Sequence, residues 1–188
     1  FAQPGPLFPP VALTMLSLLI AALAVEPFLY AALLVALAVL ISLPLVSPPG
    51  RSFGPGATRY FVFTLFGVPF ILFAGWLLTG IEASPGNQLL VVRAGLLIAL
   101  GFVFLMGIFP FHSWMPMLGR EAHPYTLGFI LLFLPGIIGL FGLSFIDRYS
   151  WIRERELVYE ILLAVGSLVT LLAGVWAAIQ RHLCRQFV

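Results

Sequence analysis

Apolar residues fill this chain in blocks rather than stripes. Near-continuous hydrophobic stretches cover residues 7–25, 27–46, 60–80, 89–109, 126–146 and 161–180. A hydrocarbon layer about 30 Å thick takes about 20 helical residues to cross, and the blocks have that length. The pattern therefore predicts an all-α, polytopic transmembrane helix bundle of about six spans, forming a single transmembrane domain over residues 1–188. The first two blocks meet at Glu26-Pro27. One helix through both would overshoot the hydrocarbon about twofold, and proline suits a first helical turn, so a tight turn between two crossings is expected.

The connections fall at residues 47–59, 81–88, 118–125 and 147–160. The first is rich in Pro and Gly and reads as an irregular loop. The last mixes Arg148, Tyr149, Trp151, Arg153, Glu154, Arg155 and Glu156, which fits a solvated loop with aromatic anchors or a short helix lying in the membrane interface. At the end of the fourth block, Pro110 and Pro116 each remove a backbone donor and predict a broken helix whose freed carbonyls need protein or water. Gly136, Gly139 and Gly142 lie on one face of the fifth block, where a neighbouring helix is expected to approach closely.

Composition narrows the function. Of 188 residues, 62% are hydrophobic and 9% charged, against about 25% charged in a soluble domain, which leaves no room for a separate soluble catalytic domain. Nine arginines stand against seven acids, without lysine. This balance is too slight and scattered for nucleic acid, and it excludes a lysine-dependent phosphate loop. The lone Cys184 forms no internal disulfide, and Glu121 with His123 are too few to make a metal site. Six crossings put Arg51, Arg59, Arg120, Arg181 and Arg185 on one side and Arg93, Arg148, Arg153 and Arg155 on the other. That near-even split gives the positive-inside rule little purchase; termini in the cytoplasm are the expectation. Abrupt ends and the absence of a first methionine lead to the expectation of a partial chain.

The segment Phe109-Pro110-Phe111-His112-Ser113-Trp114-Met115-Pro116 is the richest in chemistry. His112 sits beside the expected break, and histidine titrates near neutral pH. It is either a proton relay or a histidine hydrogen-bonded at the interface. Pro110-Phe111-His112-Ser113-Trp114-x-Pro116 resembles the PFHxWLPxAH signature of the antiporter-like membrane subunits of respiratory complex I, which are related to subunits of membrane-bound hydrogenases and Mrp-type antiporters. Ala57-Thr58-Arg59-Tyr60-Phe61 is similar to the A-T-K-[FY]-F opening of that family's sixth helix. Gln180-Arg181-His182-Leu183-Cys184-Arg185 is similar to the loop after its ninth. The resemblance covers nearly the whole chain, and implies a partial module corresponding to roughly helices four to nine of about fourteen, with a helix-breaking, repeat-built fold. It also implies partner membrane subunits of a multisubunit complex and surrounding lipid; a bacterial plasma membrane is the expected residence, which the arginine-only basic set fits no worse than an organelle.

The departures bear on mechanism. Placed on the family pattern, Val35 occupies the slot of a channel glutamate, and Leu105 and Gly136 occupy the slots of two channel lysines. Arg59 stands where lysine is usual. Burial lowers a lysine's pKa towards neutrality, whereas arginine keeps its proton. Removing three intramembrane charges also removes insertion costs of about 2.5–3.5 kcal/mol each. The protonatable groups that remain include Glu26, Glu82, His112, His123 and His182, mostly at helix ends. One reading is a mainly structural, channel-deficient subunit of a complex I-like NADH dehydrogenase assembly, with no catalytic site and no cofactor of its own. A second keeps proton or cation transport through His112 and His123, with Glu26 at the opposite entrance and Arg59 near the path. A third, a haem- or pigment-binding membrane subunit, is disfavoured because only His112 lies against an apolar span.

Overall fold

A computed structural model describes residues 5–47, 52–83, 88–149 and 156–179. Among these residues every regular element is helical. The first block forms α1 (Phe8–Ala24), opened by prolines in its first turn and closed where Val25 turns extended. Pro27, itself extended, leads into α2 (Phe28–Ile41), and Ser42 then turns the chain into the short α3 (Leu43–Val46). The tight turn at Glu26-Pro27 is present, and that peptide bond is cis.

The third block is longer than its hydropathy indicates. α4 runs Pro55–Ala83, so Gly54-Pro55-Gly56 does not belong wholly to a loop and Arg59 is already helical. α5 (Gln88–Met106) follows. It ends at Gly107, whose φ of 63° is left-handed, with the Ile108 amide donating to the Val103 carbonyl (3.0 Å) and the Gly107 amide to that of Phe104 (3.2 Å). This hydrogen-bond pair closes a helix on a left-handed glycine. The expected break therefore falls at Gly107–Pro110, with the Phe109-Pro110 bond cis. Pro116 breaks nothing: a 3-10 turn (Phe111–Ser113) passes directly into α6 (Trp114–Glu121), and Pro116 lies in its first turn, where an amide has no helical partner to lose. α6 also occupies part of the stretch expected as a loop at 118–125.

The fifth block is α7 (Pro124–Arg148) and the sixth α8 (Glu156–Ile179). Residues 150–155 lie outside the described set, so the interfacial segment read at 147–160 is described only at its two ends. The match at Gln180–Arg185, with His182 and Cys184, also falls outside it.

Packing centres on α4, which lies against α5, α6 and α2, while α1 packs on α2 and α7, and α7 on α5. Lipid tails are as apolar as leucine, so helices in a membrane associate through close fit more than through hydrophobic transfer. The core shows this: Ala22, Ala31, Ala32, Ala38, Ala74 and Ala94 are buried, each admitting a neighbour. On α7, Ile130, Leu134, Ile138, Phe141 and Phe145 form the buried stripe, whereas Leu132, Leu140 and Leu143 are exposed. Apolar residues inside and out, on α4, α5 and α7 long and apolar enough to cross a membrane, make an all-α membrane helix bundle. Along α8 the described side chains are exposed except for half-buried Val169.

Candidate functional site

The PFHSW segment returns across the start of α4. α6 packs on the first turns of α4 closely enough that a Cβ on Gly56 would lie 2.6 Å from the Leu118 amide nitrogen. Glu121, the last residue of α6, accepts hydrogen bonds from the Gly56 amide (2.9 and 3.1 Å to its two oxygens) and the Ala57 amide (3.1 Å). It does for α4 what a helix-capping side chain does from within its own sequence, and a carboxylate there also meets the positive end of the helix dipole. Gly54 leaves the room: a Cβ on it would collide with that carboxylate.

Further along α4, Tyr60 packs its ring on Trp114 (centroids 5.0 Å). Ser42 donates to the Val39 carbonyl (2.6 Å), and its oxygen lies 3.1 Å from the Tyr60 hydroxyl. Because the single serine proton is engaged with Val39, Tyr60 is the donor in the second bond. Thr64 lies one helical turn beyond Tyr60. The Thr64 Oγ1, Trp114 Nε1 and His112 Nδ1 atoms are buried without a hydrogen-bond partner. Buried polar atoms are normally paired, so these three stand out in an interior that is mainly apolar. Tyr60 and Trp114 belong to the two motifs quoted from the sequence, whereas Ser42 and Thr64 do not; the available signal for those two was a hydroxyl inside a hydropathy block.

The sequence-derived candidates divide between the two ends of the bundle. His112 is half-buried beside the break, with Phe109 5.7 Å away. His123 precedes α7, stacked on Tyr125 at 5.5 Å, both ring nitrogens buried and unpartnered. Arg59 is exposed near the start of α4. These three share the end where α6 packs. Glu26 is at the other, where its carboxylate meets Arg148 at 2.8 Å. The 25 residues of α7 between His123 and that pair amount to about 37 Å at the helical rise. The arginine's hydrogen bond, and secondarily its charge, hold the Glu26 carboxyl below the usual carboxylate range.

Val35 and Leu105 are each 1% exposed and belong to the same apolar core. Leu105 fits against Gly67, and its neighbour Phe104 stacks on Phe70 (5.7 Å) and meets Phe111 (4.1 Å). Gly136 lies on the surface, with open space where a Cβ would stand. Gly139 and Gly142 face Met106 and Phe102 of α5, so side chains rather than a neighbouring backbone fill that stripe. Among the described residues no three His, Cys, Asp or Glu side chains come together; the Glu121 carboxylate is directed at α4 amides, away from any pairing with His123.

No family model matches the chain. No solved structure matches it. The chain is 27% identical, over 135 residues, to NADH-quinone oxidoreductase subunit N of a Nocardioides species, an alignment taking in 61% of this chain and 25% of that subunit. The chain thus spans about a quarter of the length of the curated relative it matches. This similarity, together with the long apolar helices α4, α5 and α7, fits an integral membrane protein of the complex I antiporter-like type.

Proposed function

We propose that this chain is a membrane-arm segment of a complex I-type assembly, a partial antiporter-like module whose work is mainly structural, packing against neighbouring membrane subunits in a bacterial plasma membrane. The observation carrying the proposal is the setting of Val35 and Leu105. Both occupy positions where the resembled family places channel charges, and both are sealed in apolar packing. Valine and leucine hold no proton, and Leu105 is fitted against Gly67 of α4 within the apolar core. His112 and Glu26 stand at opposite ends of the bundle, and Glu26 is engaged with Arg148, so an entrance pair without a midplane relay is what remains.

A second reading, active proton or cation translocation, draws on the buried polar atoms of Thr64, Trp114 and His112. Histidine relays occur in membrane pumps. Reconstituted proton or sodium translocation by the intact complex separates the two, comparing native protein with His112→Ala and Glu26→Ala and checking assembly independently. Unchanged ion-to-electron stoichiometry in both variants supports the scaffold. Loss of pumping in a fully assembled His112→Ala complex overturns it in favour of conduction.

A further inference from the structure

The outer face of the α4–α5 pair carries an open groove of about 460 Å³ lined by Phe73, Trp76, Leu77, Arg93, Leu96 and Leu97, a volume within the range of small-ligand sites. Phe73, Trp76 and Leu96 are 61%, 70% and 66% exposed, while Leu77 and Leu97 are half-buried against the core. Arg93 is the one charged residue on the wall. It is exposed. It follows the start of α5 at Gln88 by five residues, about 7.5 Å along the axis. Trp76 lies at a similar depth from the end of α4, in the zone where tryptophan gathers at membrane interfaces.

An arginine facing lipid is costly unless its guanidinium meets an anion or water. A planar guanidinium pairs with phosphate through two parallel hydrogen bonds, and basic pockets between membrane helices hold anionic head groups. We propose that this groove binds one anionic phospholipid, its phosphate on Arg93 and an acyl chain along Phe73, Leu77, Leu96 and Leu97. The charge favours this occupant: a lipid brings a phosphate to the depth of Arg93 and hydrocarbon to the rest of the wall. The site is independent of whether the chain conducts ions.

The test uses the intact complex in nanodiscs, with photoactivatable phosphatidylglycerol or phosphatidylcholine and labelled residues mapped by mass spectrometry. The expected result is labelling of the Phe73–Leu77 and Leu96–Leu97 stretches, about fivefold stronger with phosphatidylglycerol, the preference one arginine at a membrane surface provides. Arg93→Gln brings the glycerol lipid down to the choline level, and Arg93→Lys retains part of the difference. Equal labelling by both lipids in the native complex overturns the proposal without recourse to any variant. So does a preference that survives Arg93→Gln, or a groove left unlabelled because a neighbouring subunit covers it.

Discussion

Gly67 of α4 and Gly101 of α5 meet backbone to backbone: a Cβ on Gly67 would lie 2.8 Å from the Gly101 carbonyl oxygen, and one on Gly101 would lie 3.1 Å from the Gly67 carbonyl oxygen. Such contacts let two membrane helices approach within reach of each other's main chain, and they set the seam on which the bundle is built. Gly101→Leu is expected to destabilise the bundle by about 1–3 kcal/mol through overpacking, since Ile71 also stands 2.7 Å from the site. Gly95→Ala, on the same helix with open space around it, is the control and should be neutral or slightly stabilising, because alanine is the better helix former. Thermal unfolding of the purified protein in detergent compares the two.

Glu121 is expected to act as the cap of α4. Glu121→Ala removes the acceptor of the Gly56 and Ala57 amides and should cost about 0.5–2 kcal/mol, the usual value of a helix cap. Glu121→Gln keeps a carbonyl acceptor and should recover part of the loss. Amide exchange at Gly56 and Ala57 provides the local readout, with faster exchange in the alanine variant and little change at the far end of α4. Unaltered exchange at both amides would remove the capping role.

How much of this was legible beforehand depended on the distance over which each signal acts. Hydropathy blocks report local composition, and they located the apolar helices and the turn at Glu26-Pro27. Glu26 meets Arg148 at one end of the bundle, and Glu121 meets Gly56 at the other. The start of α4 was read too late because its cap comes from Glu121, which no pattern around Gly54-Pro55-Gly56 announces. The end of α5 did carry a local signal, a glycine followed closely by proline, but the two prolines drew the break towards Pro116. With 18 glycines in the chain, Gly67 and Gly101 were indistinguishable from the rest until packed, and the stripe at Gly136, Gly139 and Gly142 looked the stronger candidate.

The Ser42–Tyr60 bond joins the α2–α3 corner to α4 inside the apolar core. Tyr60→Phe keeps the ring on Trp114 and removes the donor, so a loss of about 1 kcal/mol is expected, the net value of one intramolecular hydrogen bond. Ser42→Ala removes two bonds and leaves the Tyr60 hydroxyl buried and unpaired, which should cost more, about 1–3 kcal/mol. The double variant should be less harmful than the sum of the singles, since each removes the same contact. Strict additivity in a thermal or denaturant cycle would mean that the two hydroxyls do not interact.

The Glu26–Arg148 pair tests how the turn between α1 and α2 is held to the end of α7. Both side chains are substantially exposed, so water and salt screen the pair and its worth is small. Its pH dependence nevertheless has a fixed sign. Arg148 lowers the folded-state pKa of Glu26 below the ordinary carboxylate value. A group whose pKa is depressed on folding contributes stability that is present above its unfolded pKa and lost as pH falls through the folded one. Native protein should therefore exceed Glu26→Gln slightly in melting temperature near neutral pH, and the gap should close as the medium is acidified through and below the carboxylate range. Raising the salt at neutral pH should close the same gap. Arg148→Gln should reproduce both effects, because either partner alone abolishes the pair. A gap that persists unchanged in acid would mean that Glu26 stabilises the turn by something other than its charge.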